Sequence, residues 1–130
     1  MSLALLDTSV VIAAGGGGDE LPPSAAISVV TLGELHAGVL RAADDVAKTV
    51  REQRLADFRA AFIALPIDED VAEHYGRALA LARDQGRIQH APDLLIVATA
   101  MASRRALHTR DVGQAKLARR LGLVVHGPDA

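Results

Sequence analysis

The chain has 130 residues, half of them hydrophobic, so we expect one domain with a buried core across residues 1–130. Aromatic residues make up only 2%, which argues against a protein that stacks single-stranded bases on aromatic rings. The formal net charge is −2, and the absence of cysteine excludes thiolate catalysis, cysteine-based zinc sites and disulfides.

The first half of the chain alternates short apolar runs with helical patterns. Residues 3–6 predict a buried strand, and residues 8–14 predict a short helix that ends at the glycine run 15–18. We interpret that run as a surface loop, because no Gly-Lys-Ser/Thr follows it to bind phosphate. Residues 26–30 predict a second strand. Helices are then predicted over residues 31–41 and 46–64.

The second half continues the alternation. A brief extended piece is predicted at residues 65–67, and Asp68 is placed to cap a helix that ends near Gly86. Pro92 opens the next helix, whose predicted buried stripe is Leu94, Val97, Ala98 and Met101. Residues 106–109 predict a strand, 112–121 a helix and 123–125 a last strand. Short apolar strands separated by helices indicate an α/β domain around a parallel sheet.

Export or membrane insertion is not expected from the sequence. The N-terminus has no basic segment and reaches Asp7 after a few apolar residues, which is too short for a signal peptide. The longest apolar stretch, residues 94–102, is far shorter than the 18 or so residues that a membrane span needs. Together with the lack of cysteine, this predicts a soluble, cytoplasmic protein with no membrane partner.

Four carboxylates differ from the other acids because each lies at the edge of an apolar element. They are Asp7, Glu34, Asp93 and Asp111. In a right-handed α/β winding, strand ends and helix N-termini gather at one rim, so the three aspartates should converge there and Glu34 should reach across. Each acid also has an ordinary explanation: a helix cap for Asp7, a helix-dipole charge for Asp93, a turn for Asp111 and a solvated helix face for Glu34.

Gathered carboxylates have a definite chemical requirement. Like charges a few ångströms apart cannot all stay ionised unless they bind protons or a cation. Oxygen ligands without a histidine or cysteine pattern select hard ions such as Mg²⁺ or Mn²⁺. Because such ions activate water for attack on phosphate, the acids predict a phosphodiester-cleaving site.

The ordered motifs resemble PIN-domain ribonucleases, specifically the toxins of VapBC toxin–antitoxin pairs. The matching segments are Leu5-Leu6-Asp7-Thr8-Ser9, Thr31-Leu32-Gly33-Glu34-Leu35, Pro92-Asp93-Leu94-Leu95-Ile96-Val97-Ala98-Thr99-Ala100 and His108-Thr109-Arg110-Asp111. The resemblance implies a PIN-like three-layer sandwich with a central parallel sheet of four or five short strands flanked by helices.

The resemblance also implies an Mg²⁺-dependent endoribonuclease, in which Mn²⁺ can substitute. Asp7, Glu34, Asp93 and Asp111 would be catalytic, with the three aspartates as metal ligands. The supporting residues would be Thr8, Ser9 and Thr109. A cognate antitoxin would block the site, the chain would form a homodimer or a toxin–antitoxin hetero-oligomer, and the substrate would be transfer or ribosomal RNA.

One position departs from the family pattern. The family commonly has a further acid three residues after the position of Asp111, and here that residue is Gln114. We therefore expect one firm Mg²⁺ site rather than two. Two alternatives stay open: a catalytically weak PIN-like interaction module, and a metal-dependent phosphatase, although the dehalogenase-type phosphatases need an acid where Ser9 stands.

A basic segment offers a surface for RNA. Residues 104–120 contain six Lys and Arg residues and only one acid. Lys116, Arg119 and Arg120 share one helix face and, with Arg110, are the predicted RNA contacts. A solvated helix face is the ordinary alternative.

Overall fold

Five short parallel strands form the central sheet of the computed structural model, which describes residues 3–15, 21–22, 24–86 and 90–129. They are β1 (Ala4–Leu6), β2 (Ala25–Ser28), β3 (Ile63–Leu65), β4 (Ala106–His108) and β5 (Val125–His126). Their order across the sheet is β3-β2-β1-β4-β5, so the chain winds to one side of β1 and then continues on its other side. The carboxyl ends of β1 and β4 therefore lie side by side where the winding reverses, which is where open α/β sheets place ligand sites.

Helices cover both faces of this sheet. They are α1 (Thr8–Gly15), α2 (Val29–Leu40), α3 (Asp45–Ala61), α4 (Glu69–Asp84), α5 (Ala91–Ser103) and α6 (Val112–Arg120). Successive strand residues point to opposite faces, so Leu5 packs with α5 and α6, while Leu6 packs with α1, α2 and α3. The predicted three-layer α/β sandwich is confirmed.

Several element boundaries differ from the predicted ones for local reasons. β2 ends at Ser28, not at Val30, because the Ser28 hydroxyl accepts a hydrogen bond from Val30 N and caps α2. α3 ends at Ala61, and the extended piece lies at residues 63–65, where it pairs with β2. The cap predicted at Asp68 is confirmed by its 2.9 Å bond from Val71 N.

The buried surface of α5 is wider than the predicted stripe. Leu94, Val97 and Ala98 are buried as expected, but Ile96, Thr99 and Ala100 are buried as well, and Met101 is only partly buried. Helix α5 packs against the sheet on one side and against α4 on the other, so most of its circumference is covered.

Of the glycine run 15–18, Gly15 ends α1, and residues 16–18 lie outside the described residues. Within the described ranges, no helix combines the length and apolar character needed to cross a membrane.

A close backbone contact between the ends of β4 and β5 requires glycine at position 127. A Cβ atom there would lie 2.5 Å from the Thr109 carbonyl oxygen and 3.3 Å from Thr109 Cγ2. Thr109 N also donates a 3.1 Å hydrogen bond to His126 O, so the two chain segments cannot move apart freely.

We expect Gly127→Ala to lower the free energy of unfolding by about 1–3 kcal/mol, the usual cost of forcing atoms into a packed site. Urea unfolding measures this directly. The matched control is Gly76→Ala in α4, where an added Cβ would meet no described atom within 4 Å. The control should stabilise the helix by about 1 kcal/mol. Equal stability changes for the two variants would contradict the predicted clash.

Candidate active site

Asp7 lies at the carboxyl end of β1 and is 3% exposed. Its Oδ2 atom accepts hydrogen bonds from Ser9 Oγ at 2.6 Å and Ser9 N at 3.3 Å, and it lies 3.0 Å from Thr109 Oγ1. No hydrogen bond from the described residues engages its Oδ1 atom. The bonds therefore fix the orientation of the carboxylate through one oxygen and leave the other available to a ligand.

The turn between β4 and α6 is tied to the same carboxylate. Arg110 N donates to Ser9 Oγ at 3.0 Å, and Asp111 N donates to Thr109 Oγ1 at 3.0 Å. The hydroxyls of Ser9 and Thr109 thus each accept a hydrogen bond from a backbone N–H group and also lie within hydrogen-bond distance of Asp7. This arrangement couples the position of Asp7 to the turn that carries Asp111.

Glu34 reaches from α2 to the start of α1. Thr8 Oγ1 donates to Glu34 Oε1 at 2.7 Å and lies 2.9 Å from Thr31 Oγ1. Because Thr8 has a single hydroxyl proton and gives it to Glu34, Thr31 must donate to Thr8. Thr31 is fully buried, and sequence reasoning missed it. The sequence signal that could have identified Thr31 is its place beside Leu32 and Leu35, which face the apolar core.

Asp111 caps α6, because its Oδ1 accepts a 2.9 Å hydrogen bond from Gln114 N. The remainder of its side chain is exposed. The Gln114 side chain is 1% exposed, with Oε1 2.8 Å from Thr109 Oγ1 and Nε2 donating to Asp93 O at 3.2 Å. Asp111 can therefore cap α6 and also belong to the candidate site.

Asp93 lies in the first turn of α5 and shares an electrostatic environment with the other three acids. Burial, followed by the negative charges of Asp7, Asp111 and Glu34, raises the pKa of the Asp93 carboxyl, and His90 opposes the shift. Three acids from other elements therefore act electrostatically on Asp93, as the positions of the four acids at element edges predicted.

These acids do not form a closed metal cage. Across the described part of the chain, no group of three or more histidine, aspartate or glutamate side chains is arranged so that it could hold a metal ion. The chemistry of the donors nevertheless fits Mg²⁺, since all are oxygens and this ion usually binds through one or two carboxylates and keeps several waters. The donor set is an open site rather than a preformed cage.

The residues of the predicted RNA-binding face differ in their contacts and in their exposure. The Arg119 guanidinium donates to Pro128 O at 2.7 Å and to Gly127 O at 3.2 Å, and lies 3.7 Å from Asp129. Arg119 thus holds the C-terminal segment. Lys116 is half-buried, whereas Arg110 and Arg120 are exposed.

Comparison with known proteins identifies the family to which the chain belongs. A family model described as the PIN domain matches residues 4–120. The chain belongs to the PIN-domain family. Ribonuclease VapC8 of Mycobacterium tuberculosis is 40% identical to this PIN-domain chain over 104 residues, covering 77% of the chain and 92% of VapC8. Ribonuclease VapC5 of the same organism is 39% identical over 112 residues, covering 82% and 81%.

A solved structure also resembles this chain over its whole length. A chain in the crystal structure of VapBC-5, a member of the VapBC family of toxin–antitoxin systems from M. tuberculosis, superposes with a TM-score of 0.82. The two chains are 32% identical, and the match covers 100% of both. The resemblance to VapC-type PIN-domain ribonucleases is confirmed.

We expect Asp93→Asn to stabilise the metal-free protein at neutral pH. The folded state disfavours the Asp93 carboxylate, since burial and the neighbouring acids raise its pKa above the ordinary value of 3.8. The gain should develop as the pH rises from 3.8 through the raised pKa, and it should vanish at lower pH, where the carboxyl is protonated in both states. Thermal unfolding in EDTA at several pH values measures it.

The matched control is Asp70→Asn, which changes an exposed acid in the first turn of α4. Removing that charge loses a favourable interaction with the helix dipole, so the control should not gain stability. An Asp93→Asn protein that is no more stable than the wild type at pH 7 would argue against repulsion among the acids.

Proposed function

We propose that this PIN-domain protein is the endoribonuclease toxin of a toxin–antitoxin pair, with Mg²⁺ as its cofactor and Mn²⁺ as a substitute. Asp7, Glu34, Asp93 and Asp111 are the proposed catalytic residues. The observation that carries the proposal is geometric: Ser9 and Thr109 tie Asp7 Oδ2 to the turn that carries Asp111, while no hydrogen bond from the described residues engages Asp7 Oδ1. The raised pKa of Asp93 supports it, because three acids from other elements contribute to that shift after burial. Family membership and relatives named ribonucleases support RNA as the substrate.

The three aspartates are the proposed metal ligands. When bound, the ion would supply Lewis acidity for attack by water on a phosphodiester. Ser9 and Thr109 hold Asp7 through Oδ2, so that Oδ1 is free to serve as a ligand. Asp111 keeps one oxygen on the cap of α6 and presents the other.

Glu34 has a different proposed role. Thr8, supported by Thr31, fixes its Oε1 atom, so Oε2 is the oxygen left to accept a proton from the attacking water. A general base of this kind contributes roughly 10²–10⁴-fold to a rate. The two threonines act only by holding that carboxylate in place.

The experiment is RNA digestion with and without EDTA, followed by addition of Mg²⁺ or Mn²⁺. Chelation should abolish cleavage, and either ion should restore it. Asp7→Asn and Asp93→Asn should each lower the rate by about 10²-fold or more, since replacing even a group that only orients a metal ligand typically costs about 10–100-fold. Asp70→Asn is the control and should cleave normally.

Each alternative predicts a different result. Cleavage that is indifferent to EDTA and to both substitutions would overturn the proposed site. Hydrolysis of small phosphate esters without RNA cleavage would favour a phosphatase. Mn²⁺ binding without any cleavage would favour a catalytically weak interaction module.

The proposed partner is a cognate antitoxin that blocks the site, within a homodimer or a toxin–antitoxin hetero-oligomer in the cytoplasm. The support is the likeness to a chain of VapBC-5, whose structure is described as a member of a toxin–antitoxin family. The proposed substrate class is transfer or ribosomal RNA, and the proposed working unit is a single PIN-like domain.

Arg110, Lys116 and Arg120 remain proposed RNA contacts, whereas Arg119 is engaged by the C-terminal segment. The double variant Lys116→Ala/Arg120→Ala should flatten the dependence of log affinity on log salt by about 1.4, since each contact with a single-strand phosphate contributes roughly 0.7. Fluorescence titrations of labelled RNA at several salt concentrations measure this slope.

Arg119→Ala is the informative comparison. Because its guanidinium binds the C-terminal backbone, this variant should lower the melting temperature and leave the salt slope unchanged. If Arg119→Ala flattens the slope and the double variant does not, the assignment of the two roles is reversed.

A further inference from the structure

Gln114 is a buried polar residue that contacts three parts of the candidate site. It lies in the first turn of α6, and its side chain is 1% exposed. Its backbone N donates to Asp111 Oδ1, its Nε2 donates to Asp93 O, and its Oε1 lies 2.8 Å from Thr109 Oγ1. The side chain therefore connects the start of α5 with the end of β4, and the backbone of the same residue is bound by the cap of α6.

The amide group suits this position in a way that a carboxylate would not. An ionised carboxylate only accepts hydrogen bonds, so it could not donate to the Asp93 carbonyl oxygen. It would also add a fifth negative charge beside acids that already raise the pKa of Asp93. The amide makes both contacts without adding charge.

Thr109 connects Gln114 to Asp7. The Thr109 hydroxyl has one proton and lies within 3.0 Å of two acceptors, Asp7 Oδ2 and Gln114 Oε1. It can donate to only one of them at a time, so Gln114 competes with Asp7 for this proton. The amide therefore influences both the position of Asp93 and the hydrogen bonding of Asp7.

We propose that Gln114 is a positioning residue of the acidic site, whose buried amide holds the first turn of α5 against the β4–α6 turn and so sets the position of Asp93 relative to Asp7 and Asp111 for the binding of a divalent ion. The inference rests on the proposed function, because it assumes that these acids bind a divalent ion. Gln114 is not proposed as a ligand, since its side chain is buried and both polar atoms of its amide already make hydrogen-bond contacts. Residues that orient metal ligands in this way typically change metal affinity 10–100-fold when they are replaced.

The test is Mn²⁺ binding to the purified full chain, measured by calorimetry, together with thermal unfolding in EDTA. Gln114→Met keeps the volume and removes both side-chain hydrogen bonds, so it should weaken Mn²⁺ binding by about 10–100-fold. Gln114→Asn is the second variant. Its shorter amide cannot reach Asp93 O and Thr109 Oγ1 together, and it should show the same direction of change if the methionine variant fails to fold.

The matched control is Thr99→Val. Thr99 is 1% exposed in α5 and donates a 2.7 Å bond to Leu95 O, so the variant loses a buried hydrogen bond without a direct bond to the acids. It should lose stability and keep wild-type Mn²⁺ affinity.

Two results would overturn the proposal, and they can be told apart. If the wild type binds Mn²⁺ and the Gln114 variants bind it within twofold of the same affinity, Gln114 has only a packing role and the proposed function stands. If the wild type itself binds no Mn²⁺, the metal-dependent function fails, and the positioning role fails with it.

Discussion

Repulsion among carboxylates at the carboxyl edge of the sheet is the constraint on which the site depends. At Asp93, burial and then the negative charges of three neighbouring acids raise the pKa, so the folded state disfavours this carboxylate. A fold optimised only for stability would separate these charges or pair each with a cation. Hydroxyl and backbone N–H groups instead orient the carboxylates of Asp7, Glu34 and Asp111 without neutralising them. Such an arrangement favours a bound divalent ion over the ion-free state.

The topology explains how short elements meet this constraint. β1 lies in the middle of the sheet, and the winding reverses beside it, so the ends of β1 and β4 are adjacent. Asp7 and Asp111 follow those two strands, and α5 brings Asp93 in at its first turn. Glu34 comes from α2, on the opposite face of the sheet, and reaches the same edge through Thr8. Four separate elements thus contribute to one candidate site, although the strands in the described part of the chain have at most four residues.

Much of the fold and the identity of the acids could be predicted from the sequence, because both depend on local patterns. Strands and helices follow apolar spacing and caps such as Asp68, and each acid stands at an element edge. The contacts of Thr31 and Gln114 could not be predicted, because their partners lie on other elements. Likewise, apolar spacing marked one stripe of α5 but could not show that α4 covers another side. The helical charge pattern predicted Arg119 as an RNA contact, but its guanidinium donates hydrogen bonds to the backbone of the C-terminal segment.

The open geometry of the site is consistent with a negatively charged substrate. A chain of net charge −2 with an acidic site would repel an RNA backbone unless a cation lay between them. The absence of a closed three-ligand cage among the described residues leaves coordination positions for water and phosphate oxygens. The ion would make the site attractive to RNA, and RNA would in turn complete the coordination of the ion. By linkage, each would increase the affinity of the site for the other by the same factor. A loosely preformed site would therefore suit the proposed enzyme, in which metal and substrate would bind together.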